Sequence, residues 1–167
     1  CRHTHGSAQA TVGLVAEKKI GAQDVQKVEV FTYGIAVLAV GKPVVLNDSF
    51  VNAQFSIPYV VSVAIADGMV GPSQLTEKRL ADAGLIEFTK QVTVTYDDEL
   101  NKLYPGKTAT RVEITLKSGE KLAKQVEIPA GDPRDPMTAD TVAEKVRHFA
   151  GGRDKKRLDA VIDAARA

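Results

Sequence analysis

The stretch DSFVNAQFSIPYVVSVAIADG, from Asp48 to Gly68, decides the fold because it predicts a helix buried on most sides. Ser56 is a suitable N-cap, and Pro58 lies in the first turn, where a missing N–H does no harm. No charged residue follows Pro58 until the last two residues of the stretch, which indicates a helix without a solvent face. Gly68 is the residue type that usually follows a helix end. We therefore predict a buried helix over Ser56–Ala66.

A phenol, Tyr59, opens the apolar part of this helix and follows a polar loop. A rigid helix could hold such a hydroxyl in place as a proton donor. The alternative is a core tyrosine whose hydroxyl is satisfied inside the protein. From the residues alone, the core tyrosine is the favoured interpretation.

Length and composition indicate one globular domain. The chain has 167 residues, of which 44% are hydrophobic and 26% charged, with a net charge of +1. These values exclude a disordered chain and allow a single domain with a core, but not two domains of ordinary size. Aromatic residues make up only 5% and there is no Trp, so aliphatic side chains must build the core. We predict a single domain over 1–167.

Charge and cysteine content restrict the partners and the compartment. The small net charge and the scarcity of aromatic residues disfavour nucleic-acid binding. No apolar run approaches the roughly 20 residues needed to cross a bilayer, so no membrane partner is expected. One cysteine cannot form an internal disulfide framework and is typical of a reducing compartment. We therefore expect a cytoplasmic protein.

Residue spacing predicts the elements of the fold. The predicted strands are Val25–Phe31, Gln91–Tyr96, Thr108–Leu116 and Lys121–Ile128. The predicted helices, besides the buried one, are Ser7–Glu17, Thr76–Leu80, Asp82–Lys90, Thr138–Phe149 and Asp154–Arg166. Gly34–Val40 stays open between helix and strand, and 44–52, 97–107 and 129–136 are predicted loops. This order predicts an α+β fold, a two-layer sandwich in which a mainly antiparallel sheet of about four strands is backed by helices.

The first six residues, CRHTHG, contain two of the three histidines. On an extended segment His3 and His5 would point the same way, as metal ligands require. No third ligand is evident, because His148 lies on an amphipathic helix, where a surface histidine is expected, and Cys1 is a chain end. We predict no metal and no cofactor. His5 is instead a candidate acid, base or anion-binding donor.

Arg2 and His3 form a cationic cluster that suits carboxylates, because guanidinium binds them through two hydrogen bonds. The alternative is a solvated terminus. Two other charged segments, Gly131–Pro136 and Arg153–Arg157, are explained by a rigid turn and a solvated helix face. The sequence contains no GxSxG, P-loop or dinucleotide-binding pattern. Since the chain starts with a histidine-rich segment that leads directly into a patterned one, we expect it to be the C-terminal part of a longer protein.

Five segments occur in an order that resembles a known family. They are CRHTHGSAQA, FSIPYVVSVAIADG, LTEKRL, VEITLKSGEKL, and GDPRDPMT followed by EKVRHFA. In these segments nearly the whole chain resembles the C-terminal domain of the MmgE/PrpD family. That family includes 2-methylcitrate dehydratase, cis-aconitate decarboxylase and iminodisuccinate epimerase.

The resemblance implies a smaller α+β domain that closes over an active site, preceded by a larger helical domain that is absent here. It implies α-proton abstraction from small di- or tricarboxylates without an iron–sulfur cluster, in a homodimer. By residue, His5 corresponds to the histidine of the family's TH element, and Tyr59 to the tyrosine that opens the buried helix. A lysine often found upstream of that histidine would precede Cys1.

Two functional hypotheses follow. In the first, the chain belongs to a lyase that is 2-methylcitrate dehydratase-like, with His5 and Tyr59 catalytic, Arg2 and His3 binding substrate, and the chain inactive by itself. In the second, it is a non-catalytic module that binds a carboxylate or mediates dimerisation. Dehydration, decarboxylation and epimerisation share the first proton abstraction, so the sequence does not choose among them.

Overall fold

The computed structural model describes residues 1–166 and has one four-stranded sheet within them. The strands are β1 (Val25–Thr32), β2 (Val92–Tyr96), β3 (Thr110–Leu116) and β4 (Lys121–Val126). Their order in the sheet is β2-β1-β3-β4; β1 and β2 are parallel, and the other two pairs are antiparallel. The predicted α+β class and mainly antiparallel sheet are confirmed. The parallel pairing of β1 with β2 was not predicted from the sequence.

Helices occupy most of the remaining described chain. They are α1 (His5–Lys18), α2 (Gly34–Val40), α3 (Phe50–Gln54), α4 (Ile57–Asp67), α5 (Glu77–Leu80), α6 (Ala83–Thr89), α7 (Asp98–Leu103), α8 (Ala139–Phe149) and α9 (Lys155–Arg166). Two of them lie in predicted loops: α3 begins after the N-cap Ser49, and α7 after the N-cap Asp97. Both caps are residue types that favour helix starts, so the loop predictions for these segments are wrong.

One face of the sheet packs against α1 and α4, and the core lies between these layers. Alternate residues of β3, such as Val112 and Ile114, are buried there beside Leu14 and Ile65 from the two helices. The other face of the sheet is polar, and Arg111 lies over the Phe31 ring, 4.5 Å from its centroid. This alternation follows from the period of two along a strand.

The buried helix forms as predicted. The Ser56 hydroxyl accepts a hydrogen bond from the backbone N–H of Tyr59 and donates one to the Lys42 carbonyl, so the cap also fixes the preceding loop. Every residue from Ile57 to Ile65 is buried. Gly68 ends the helix at a φ of 70°, a conformation that glycine adopts without strain.

The last two helices form a pair at one side of the domain. Arg147 of α8 pairs with Asp159 of α9, and Arg166 pairs with Asp140. Within α8 only Ala143 is buried, so this pair adds little to the core. No helix in residues 1–166 is long and apolar enough to cross a membrane.

Candidate functional site

An open cavity of about 1070 Å³ lies between the first turns of α1 and the inner side of α8. Helix α3, segment 69–75 and segment 129–137 complete its walls. Apolar side chains form much of the surface, including Val12, Val60, Met69 and Phe149. A concave and mostly apolar cavity with a few polar groups is typical of a small-molecule site.

His5 is the main polar group that α1 contributes to this cavity. It is the first residue of α1, lines the cavity and remains exposed to solvent. Partial burial of the ring lowers the pKa of His5 below the ordinary 6.5, and the positive charges of Arg2 and Lys145 lower it further. Its imidazole is therefore neutral, and available as a base, at a lower pH than an ordinary histidine.

Helix α8 contributes charged groups from the facing wall. Glu144 and Lys145 both line the cavity, and no ion-pair partner of Lys145 occurs in the described part of the chain. The Lys145 ammonium lies 5.6 Å from the centroid of the Phe149 ring. An unpaired ammonium beside an apolar wall can attract a carboxylate.

His148, one turn further along α8, also lines the cavity. It is half-buried, so the prediction of a surface histidine is wrong. Its Nε2 is shielded from solvent and has no hydrogen-bond partner among residues 1–166. The ring packs directly on the backbone of Gly71, where a Cβ would come within 2.3 Å of Nε2.

His3 does not face the same way as His5. It lies in a 3₁₀ turn, Arg2–Thr4, rather than on an extended segment, and its Nδ1 is 2.7 Å from the Tyr33 hydroxyl. Burial raises the pKa of Tyr33 to about 12, so the phenol keeps its proton. Which of the two groups donates in this hydrogen bond depends on the tautomer of His3. The expectation of parallel rings is wrong because the chain is helical here.

Tyr33 is a residue that the sequence analysis missed. It is fully buried at the end of β1, and its ring stacks on Tyr104 with 4.6 Å between centroids. No local pattern marks it, because the residues that it contacts lie 30 positions before it and far along the chain after it.

Arg2 has a structural contact. Its guanidinium donates to the Asp132 carboxylate at 2.7 Å, and Arg134 donates to the same side chain. The hydrogen bonds from Arg134 and the charge of Arg2 hold the pKa of Asp132 far below its usual range. The Ala130 backbone N–H donates to Gln9, so two contacts attach this cavity wall to the first turns of the chain. Carboxylate binding by Arg2 stays a prediction.

Tyr59 lies outside the cavity. Its side chain is fully buried in a second apolar cluster, with neighbours such as Val44 and Leu80, and its hydroxyl donates to the Gln74 carbonyl at 2.5 Å. Burial raises its pKa to about 12. The expectation that this phenol faces a cleft is corrected: the structure does not bring it together with His5. Its catalytic role stays a prediction, without geometric support in this chain.

The arrangement can bind an anion and exchange a proton. A neutral imidazole and an ammonium approach the cavity from α1 and α8, and the apolar wall between them strengthens electrostatic attraction. No group of three or more His, Cys, Asp or Glu that could hold a metal occurs within residues 1–166.

Comparison with known proteins supplies the family. The model of the MmgE/PrpD C-terminal domain matches residues 1–166. No curated protein matches the chain. The match covers the whole described structure and agrees with its α+β fold. The chain therefore belongs to the MmgE/PrpD family and corresponds to its C-terminal domain.

Proposed function

We propose that this chain is the C-terminal domain of a lyase or isomerase that removes an α-proton from a small di- or tricarboxylate, in the manner of 2-methylcitrate dehydratase. The observation that carries the proposal is the position of His5. In a chain that matches this family, a histidine of lowered pKa lines an open cavity of about 1070 Å³. A perturbed histidine in a cleft is a candidate for acid–base chemistry.

Substrate binding relies on the facing walls of the cavity. A substrate carboxylate accepts hydrogen bonds from the Lys145 ammonium, while the carbon skeleton packs on apolar side chains such as Val12 and Phe149. The negative charge of Glu144 restricts where the remaining carboxylates lie, because like charges repel at short range. This arrangement supports a substrate with separated carboxylates.

The proton step uses His5 as a base. The neutral imidazole takes the proton on the carbon next to a carboxylate, and the electron pair of the broken C–H bond spreads onto the carboxylate oxygens. Donors already aimed at those oxygens stabilise the charge that develops. The protonated imidazole can then give the proton to the leaving hydroxide during dehydration, so that water departs, whereas epimerisation requires a second acid that protonates the carbon from the opposite face.

The domain arrangement belongs to the same proposal. We propose that a helical domain preceding this chain completes the active site, that the protein is a homodimer, and that it acts in the cytoplasm without a metal or cofactor. The match to a C-terminal domain supports the first part. By this account the isolated chain binds substrate weakly and catalyses nothing.

The test is His5→Ala in the natural gene product that contains this sequence, assayed with 2-methylcitrate, cis-aconitate and iminodisuccinate. Loss of a group that stabilises developing charge typically lowers turnover by about 10²–10³, so we expect a decrease of that order in kcat. The matched control is His3→Ala, because His3 contacts Tyr33 rather than the cavity. Wild-type kcat in His5→Ala, on the substrate that the wild type turns over, would contradict the proposal.

The alternative, a non-catalytic module that binds carboxylate or mediates dimerisation, is favoured by one observation. Large apolar side chains in α2 and in the segment between α2 and α4 are exposed, among them Leu38 at 78% and Val45 at 67%. Such a patch is typical of an interaction surface. A gene product that is dimeric by sedimentation and binds cis-aconitate, but turns over none of the three substrates, would support this alternative.

A further inference from the structure

We propose that His148 is a second imidazole of the carboxylate site and that it turns its Nε2 from Gly71 to a bound substrate. This inference rests on the proposed function of the cavity and adds a substrate contact to it. It starts from the buried Nε2, which has no partner in the described chain although the residue lines the cavity.

A buried polar atom without a partner is unfavourable. Most buried side-chain polar atoms in proteins have a hydrogen bond, and leaving one unsatisfied destabilises the protein. At this position the imidazole of His148 borders both the backbone of Gly71 and the open cavity. A substrate carboxylate would supply the missing acceptor if the ring rotated toward the cavity.

Gly71 is what allows the ring to rest in its present position. Its φ of −160° is an extended conformation open to any residue, so the backbone does not require glycine. The lack of a side chain matters instead, because a Cβ would lie 2.3 Å from Nε2, far inside van der Waals contact. A methyl group at this position therefore displaces the ring without removing the imidazole.

His148 would bind the same carboxylate as Lys145, while His5 acts on the substrate carbon beside it. His148 and Lys145 lie on α8 and His5 is the first residue of α1, and all three line one cavity. An imidazole and an ammonium that both donate to one carboxylate fix its orientation. The ring of His148 also packs edge-on against the Phe149 ring, with 5.9 Å between the centroids. This contact helps to hold the His148 ring in its position beside Gly71.

The test measures binding of cis-aconitate to the natural gene product by calorimetry. His148→Phe keeps a ring but removes the donor, and we expect its Kd to rise roughly ten- to a hundredfold, as for a lost hydrogen bond to a charged group. His148→Gln, whose amide can replace the Nε2 donor, should recover part of the affinity. Gly71→Ala, which turns the ring away in advance, should leave Kd unchanged or lower it. The control is Lys156→Gln on the exposed side of α9.

A second measurement distinguishes the two proposals. The imidazole nitrogen resonances of His5 and His148 are identified by their loss in the His5→Ala and His148→Phe variants. Cis-aconitate should shift the resonances of both His5 and His148. If His5→Ala lowers kcat by the expected order while His148→Phe and the His148 resonances do not respond, the inference is overturned and the proposed function stands. If His5→Ala keeps wild-type kcat on the substrate that the wild type turns over, both fall. If Gly71→Ala raised Kd as much as His148→Phe does, the proposed rotation of the His148 ring would be contradicted.

Discussion

Adjacent residues of α4 face two regions of different character. Tyr59 points into a closed cluster where its hydroxyl has a backbone partner, whereas Val60 lines the open cavity with His5 and His148. Successive helix residues project in different directions, so one short helix forms part of both. The closed region satisfies its phenol internally, and the cavity leaves an imidazole nitrogen unpaired. The comparison indicates that α4 supports the fold, and in our proposal the walls of the cavity formed by α1 and α8 carry the chemistry.

The largest effect should come from the core beside α4. Ile65 is 1% exposed and packs between the helix and the sheet. Ile65→Ala removes buried methyl groups and leaves a cavity, so we expect it to lower the free energy of unfolding by about 2–5 kcal/mol. Urea unfolding measures this, with Val161→Ala, 61% exposed, as the control. If Ile65→Ala lowered the free energy of unfolding by less than Val161→Ala does, α4 would not be part of the stable core.

Tyr59→Phe tests whether the Tyr59 hydroxyl has a structural or a catalytic role. The change leaves the Gln74 carbonyl without its buried donor, so we expect the free energy of unfolding to fall by about 1–3 kcal/mol. The kcat/KM of the folded natural gene product should stay within about twofold of wild type. A large decrease in kcat with unchanged stability would contradict the assignment of Tyr59 to the closed region.

Thr138→Ala loosens one wall of the cavity. The Thr138 hydroxyl accepts a hydrogen bond from the Thr141 N–H at the start of α8, and losing such a cap costs about 1 kcal/mol. Since α8 carries Lys145 and His148, we expect KM to rise more than kcat falls. Thr138→Ser keeps the hydroxyl and is the matched control. Equal kinetics in wild type and Thr138→Ala would mean that α8 does not position these groups.

The smallest effect concerns pH. Well above pH 6.5, His5 is neutral in both the folded and the unfolded state and adds no pH dependence. As the pH falls, the unfolded chain binds a proton first, because the pKa of His5 is lowered in the folded state. The free energy of unfolding therefore falls as the pH falls, until the pH reaches the pKa of His5 in the folded state. The free energy of unfolding of the His5→Ala variant should therefore decrease less than that of the wild type between about pH 7.5 and 5. Thermal melts at several pH values measure this difference. A greater loss in the variant would reverse the sign of the shift.

Features with local causes could be predicted from the sequence. The cap Ser56 and the glycine after α4 fix that helix to within a residue of its predicted ends. The turn of the β3–β4 hairpin has Gly119 at a φ of 91°, as its glycine indicates. In each case the residues that determine the structure lie inside the element itself.

The remaining features depend on contacts between distant residues. The parallel pairing of β1 with β2 requires a crossover through residues 33–91, and neither strand's own pattern specifies it. The positions of His148 on Gly71 and of His3 on Tyr33 are likewise tertiary. His5 was identified as a candidate from its residue type, but its place in a cavity with α8 follows from the fold.

A crystal structure of the natural gene product with cis-aconitate bound tests the central claim most directly. We predict a substrate between α1 and α8, with a carboxylate within hydrogen-bond distance of Lys145, the carbon next to it beside the His5 imidazole, and both remote from the Tyr59 hydroxyl. A carboxylate that contacts the Tyr59 hydroxyl, or that binds beside His3 and Arg2 with the cavity empty, would contradict the account.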